Sequence, residues 1–136
     1  MKTINRDLYL NKLIQRKENH LIKIVTGIRR SGKSYLLDPL FKHYLLSTGV
    51  KENHIIKIDL DLRMNKDFLD PDYLDTYIRN AIQDKEMYYV ILDEIQKVTD
   101  FESVLNGFLK IDNLDVYVTG SNSKFLSSDI ITEFRG

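Results

Sequence analysis

Apolar positions along this chain change their spacing repeatedly, and each change predicts a different element. From about Arg6 to Arg16, Leu10, Leu13 and Ile14 fall at helical spacing and predict an opening helix. The apolar run Leu21 to Val25 is too short for a helix and stops just before a glycine, so it reads as a strand entering the loop Gly27 to Ser34. A helix is predicted to start near Lys33. In it Leu36/Leu37, Leu40/Phe41 and Tyr44/Leu45 recur four apart, Gly49 stands at the C-cap, and Pro39 imposes a bend because it has no N–H and its ring meets the carbonyl four residues back.

The second half alternates in the same way. Ile56, Ile58, Leu60 and Leu62 share one face of a half-exposed edge strand over Ile55 to Leu62. Asp70 as N-cap and Pro71 at the first position open a helix with the stripe Tyr73/Leu74, Tyr77/Ile78, Ala81/Ile82. Tyr88 to Leu92 is continuously apolar, as a central parallel strand covered on both faces requires. Thr99 and Glu102 have the spacing of a capping box for a helix through about Lys110. Val116 to Val118 form a further strand, Thr119 to Asn122 its exit loop, and a last helix is expected from about Ser123. Strands separated by helices imply right-handed crossovers and a parallel sheet, with ligands bound at the carboxyl ends of the strands.

Three polar clusters fall at those carboxyl ends. The first, GIRRSGKS, fits G-x-x-x-x-G-K-[ST] through Gly27, Gly32, Lys33 and Ser34. Glycines let successive backbone N–H groups turn inward onto phosphate oxygens, and the following helix adds about half a positive charge at its start. The loop and its exit, Gly27, Ile28, Arg29, Arg30, Ser31, Gly32, Lys33, Ser34 and Tyr35, are the candidate nucleotide contacts. Lys33 is placed to reach the β- and γ-phosphates and the Ser34 hydroxyl to bind Mg2+. Arg29 and Arg30 occupy variable positions and read as solvent-facing residues that add positive potential.

The second cluster is Asp93 and Glu94, closing the run YYVILDE. A carboxylate at the end of a buried strand is costly unless a metal or donor compensates it, which makes Asp93 the candidate magnesium ligand. Glu94 is suited to orient and deprotonate an attacking water. In the third cluster, VTGSNS, Ser121 and Asn122 offer hydrogen bonds to a γ-phosphate or that water.

Composition narrows the alternatives. The 136 residues suit one domain, and 43% hydrophobic with 29% charged residues matches a globular chain with a real core. Twenty basic and twenty acidic residues give no net pull toward nucleic acid or acidic membrane. The absence of Cys excludes disulfide and thiolate chemistry, and His20, His43 and His54 show no metal-ligand spacing, so they read as surface or packing residues. The opening MKTINRDLYL lacks the apolar stretch of about 7 to 15 residues of a signal peptide, and no run approaches the ~18 of a membrane span. A cytoplasmic chain is expected.

GIRRSGKS, VILDE and VTGSNS, in that order, resemble the AAA+ ATPases, and within them prokaryotic ATP-binding proteins with a helical or winged C-terminal extension. The resemblance covers nearly the whole chain. It implies a three-layer α/β P-loop fold with strand order 5-1-4-3-2, ATP and Mg2+ as cofactors, Walker A at Gly27 to Ser34, Walker B at Asp93 and Glu94, and sensor 1 at Asn122 or Ser121. Within 1–136 it makes 1–20 an N-terminal helical segment and 21–136 the nucleotide-binding core. The family's fifth strand, arginine finger and helical lid are expected to be missing, with Arg135 near the start of the finger region. Leu21 to Val25 is therefore expected at a bare sheet edge, and the chain to be a piece of a longer protein that meets other subunits or a client through the missing region. A position-based reading puts adenine near Arg6 to Leu10. Besides an ATPase, a small-molecule kinase and a nucleotide-dependent switch share these motifs, with Glu94 and Asn122 favouring water as the acceptor.

Overall fold

Five strands form one sheet in the order β2-β3-β4-β1-β5, where β1 is Ile22–Thr26, β2 Ile55–Asp59, β3 Tyr88–Asp93, β4 Leu114–Gly120 and β5 Ile131–Phe134. The chain is described from a computed structural model over residues 6–26, 36–120 and 131–134. β1 to β4 run parallel, and β3 and β4 are buried along their whole length. The four parallel strands take the 1-4-3-2 portion of the expected order, and the alternating strand β2 is indeed the edge.

Side-chain alternation sorts the strands onto two cores. Ile22, Ile24, Ile58, Val90, Leu92, Val116 and Val118 face one cluster, roofed by α3 (Pro71–Ala81) and α4 (Phe101–Phe108). Val25, Ile55, Tyr89, Ile91 and Tyr117 face the other, roofed by α1 (Arg6–Gln15), the helical segment Leu36–Phe41 and α2 (Lys42–Ser47). Three layers result because a parallel strand, apolar on both sides, must be covered on both sides.

Local signals account for the helix ends. The bend expected at Pro39 falls at Asp38, whose φ of −141° and ψ of 114° interrupt the helical backbone. After Ser47 the Gly49 N–H bonds to Leu46 O and the Val50 N–H to Leu45 O, a reversal that needs the Gly49 φ of +100°. Asp70 caps α3 by accepting from the Asp72 N–H at 2.9 Å, with Pro71 first in the helix.

Several expectations are corrected. The position beside β1 is filled by β5, antiparallel to it, so β1 is an inner strand. Only ten residues separate Gly120 from Ile131, fewer than the dozen or more that a parallel crossover needs, so the returning chain runs antiparallel. The last helix expected from about Ser123 falls on 121–130, outside the described residues, and 131–134 is a strand. The Thr99/Glu102 capping box does not form: the N-cap of α4 is Asp100 and has no side-chain cap, while the Thr99 N–H bonds to Leu69 O at 3.1 Å. β2 ends at Asp59 and Leu62 is exposed. Thr119 and Gly120 belong to β4 rather than to its exit loop. On α3 Leu74 and Ile78 are buried, whereas Tyr73 and Tyr77 stay half exposed and set their rings edge-on to Phe68.

At the opposite end of β1 the sheet buries an ion pair. Lys23 is 0% exposed and its Nζ lies 2.6 Å from Asp115 Oδ1, with further bonds to Leu21 O and Asn19 Oδ1. Asp115 Oδ2 accepts from the Tyr117 hydroxyl at 2.6 Å and the Glu18 N–H at 2.8 Å. Burial, then the neighbouring Asp115 charge, pushes the Tyr117 phenol far up, so it stays a donor. The network ties the segment between α1 and β1 to β4. Asp115→Ala should destabilise the fold by about 3–5 kcal/mol in urea unfolding, because it strands the Lys23 charge. Asp75→Ala, which breaks the surface pair with Arg79, should cost under about 1 kcal/mol.

Candidate functional site

The carboxyl ends of the parallel strands gather the described candidate residues. Asp93 is the last residue of β3 and only 6% exposed. It follows Ile91 by two, so it faces the same side of the sheet as Leu36–Phe41 and α2. Leu92 pairs with Val118, which sets Thr119 of β4 beside Asp93. The Thr119 hydroxyl donates to Asp93 Oδ1 and accepts from the Glu94 backbone N–H at 2.9 Å. One hydroxyl thus fixes the side chain of the first acid and the backbone of the second.

Glu94 leaves the strand in the left-handed region, φ 61° and ψ 55°. For a residue with a Cβ that conformation costs about 1–2 kcal/mol, and such strain gathers where a side chain must be aimed. The bond from Thr119 holds the backbone there, and Gln96 holds the carboxylate by donating from Nε2 to Glu94 Oε1 at 2.7 Å. Gln96 Oε1 is buried and has no hydrogen-bond partner among the described residues. Ile95 and Val98 on either side are buried in the first core and anchor the turn.

β1 carries the chain to the same edge. Thr26 is fully buried and pairs with Gly120, so β1 and β3 flank β4 with their carboxyl ends level. Strands lie about 4.8 Å apart, which places the end of β1 roughly 10 Å from the end of β3. Gly27, Ile28, Arg29, Arg30, Ser31, Gly32, Lys33, Ser34 and Tyr35 lie outside the described residues, as do Ser121, Asn122 and Arg135. Both flanks of the first stretch are fixed: Thr26 at the sheet edge, and Leu36 and Leu37 buried in the second core. α1, which holds Arg6 to Leu10, packs against Leu36–Phe41 on that same side.

Oxygen donors suit magnesium, a hard cation, and Asp93 is a carboxylate held at a strand end at the same sheet edge as the exit of β1. Among the described residues, Asp93 is the carboxylate that such an ion would meet. Thr119 and Gln96 escaped sequence reading for different reasons. Thr119 belongs to the site only through the β3–β4 register, although its place at the end of the apolar run VYV is a signal once that run is aligned with YYVILD. Gln96 has no sequence signal beyond lying two residues after Glu94.

Comparison with known proteins follows the same lines. Residues 19–136 match the family described as an AAA domain. An uncharacterized protein of Haemophilus influenzae is 33% identical over 141 residues, covering 98% of this chain and 33% of its own length. An uncharacterized protein of Methanocaldococcus jannaschii is 32% identical over 139 residues, covering 99% of this chain and 28% of its own length. The chain therefore spans a third or less of the curated relatives it matches. Among the described residues no helix is long and apolar enough to cross a membrane. The match over most of its length places this chain in the AAA domain family of P-loop ATPase-like proteins.

Proposed function

We propose that this chain is the catalytic core of an Mg2+-dependent ATPase that couples ATP turnover to conformational change. The observation that carries this reading is the Asp93–Thr119–Glu94 arrangement at the carboxyl end of a buried strand, with only β4 between that strand and the exit of β1 into GIRRSGKS. The backbone of Gly27 to Ser34 and the Lys33 ammonium hold the triphosphate, while Ser34 and Asp93 hold magnesium. The ion supplies charge neutralisation at the β- and γ-phosphates.

The chain's own groups then have separate tasks. Glu94 accepts a proton from the water that attacks the γ-phosphorus, and Asn122, or Ser121 in its place, orients that water. The Thr119 hydroxyl donates to Asp93 Oδ1 and so fixes the direction of the Asp93 carboxylate. Gln96 limits where the Glu94 carboxylate can swing. α1, the N-terminal helical segment, packs on the nucleotide-binding core, and the motion acts on neighbouring subunits or a client through other parts of the longer protein. A site in which Gln96 holds Glu94 also accommodates a slow switch, in which bound ATP rather than turnover sets a partner contact; the rate of phosphate release by the full-length protein separates the two.

Substitutions in the full-length protein should divide binding from turnover. Lys33→Ala should abolish measurable ATP binding in a fluorescent-nucleotide titration. Glu94→Gln should retain binding and lower phosphate release by about 10²–10⁴; parental turnover in that variant would remove Glu94 as the base. Thr119→Val keeps the volume but deletes both hydroxyl bonds. It should cost about 1–3 kcal/mol of stability in urea unfolding and reduce turnover, with Thr119→Ser restoring both.

A further inference from the structure

At the opposite ends of the strands, three metal-ligating side chains from two loops converge. His54 precedes β2 directly, and Asp84 and Glu86 lie in the loop before β3. We propose that His54, Asp84 and Glu86 form a site for a single divalent transition-metal ion that clips the start of β2 to the loop entering β3. Their ligand atoms, one ring nitrogen and one oxygen from each carboxylate, lie within 4.8 Å of one another. This proposal is independent of the nucleotide reading. The strands between the two places are five and six residues long, which separates the site from Asp93 by roughly 15–20 Å.

The placement of His54 leads to the ion. The ring is 4% exposed and its centroid lies 4.3 Å from that of the Tyr88 ring, tilted by 34°, so its orientation is fixed. Its Nδ1 is held 2.9 Å from Asn53 Oδ1, which leaves Nε2 aimed at the acidic pair, 3.2 Å from Asp84 Oδ2. A single ion at that point would meet one ring nitrogen and one oxygen from each carboxylate.

The dimensions agree. An ion about 2.1 Å from a ring nitrogen and a carboxylate oxygen holds them about 3–3.4 Å apart, the separation of His54 Nε2 from Asp84 Oδ2. The remaining carboxylate, on exposed Glu86, closes by side-chain rotation, leaving its loose 3.9 Å contact with exposed Lys51. A ring nitrogen held against an oxygen, as His54 Nδ1 is against Asn53 Oδ1, is also the arrangement that orients a ligating histidine.

The loop itself is built to hold the acids in place. The Asn113 Nδ2 donates to both Asp84 O at 3.0 Å and Glu86 O at 2.9 Å, and the Gln83 N–H donates to the Tyr88 hydroxyl oxygen at 3.2 Å. Asp84 Oδ1 accepts from the Glu86 N–H at 2.9 Å, a bond that holds this carboxyl below its ordinary range. One imidazole with two carboxylates selects zinc and its neighbours over magnesium and calcium, which take oxygen alone.

The test is a Zn2+ titration of the purified full-length protein without nucleotide, against a chromophoric chelator, with Co2+ absorption as the spectroscopic probe. One ion per chain should bind to the parent and to Asp93→Asn. Affinity should fall about 10–100-fold in Asp84→Asn and Glu86→Gln, whose side chains are exposed and whose folding circular dichroism verifies, and further in His54→Gln. The Co2+ bands should weaken in parallel. A parent that shows no saturable Zn2+ binding overturns the proposal, as does binding that survives Asp84→Asn and Glu86→Gln unchanged.

Discussion

A carboxylate buried at the end of a strand is the constraint around which this molecule is arranged. Asp93 sits where β3, covered on both faces, meets the sheet edge, and a charge there needs donors or a cation. The parallel pairing of β3 with β4 brings the Thr119 hydroxyl to it, and that same hydroxyl holds the Glu94 backbone in its left-handed turn. A shift of one residue in this register would turn Thr119 to the other face and leave both acids without it. The geometry of the site is therefore inherited from strand pairing.

Two buried ionic features divide the sheet between stability and chemistry. At one end, Lys23 and Asp115 neutralise each other and their remaining bonds are filled by Tyr117, Glu18, Asn19 and Leu21, so the pair is closed. At the other end Thr119 holds the Asp93 carboxylate and the Glu94 backbone, and Gln96 holds the Glu94 carboxylate. A closed buried network such as the first rigidifies the sheet. The second roof, α1 with Leu36–Phe41 and α2, packs over both ends and fixes the residues on either side of the phosphate-loop sequence.

The elements differ in how far they were legible. β3 was legible as a strand buried on both faces, because YYVIL has no polar member. Asp70 and Pro71 were legible as a helix start because capping is a local interaction within four residues. Thr99 and Glu102 satisfied the same kind of pattern and failed, because the Thr99 N–H is taken by Leu69, thirty residues earlier in the chain, and the helix begins two residues later. β5 was illegible for a related reason: four residues carry little periodicity, and what makes them a strand is the open edge of β1.

By itself the sequence determined what depends on neighbours along the chain: the alternation of strands and helices, the helix caps at Asp70 and Gly49, the break before Pro39, and the presence of a glycine-bearing phosphate pattern followed by an acidic pair. Only the tertiary structure decided what depends on partners across the sheet. It set Thr119 against Asp93 and Glu94, covered β1 with an antiparallel strand, buried Lys23 on Asp115, and drew His54 to Asp84 and Glu86. Register and loop closure between distant segments are settled by the packing of both cores at once, and no local spacing records that.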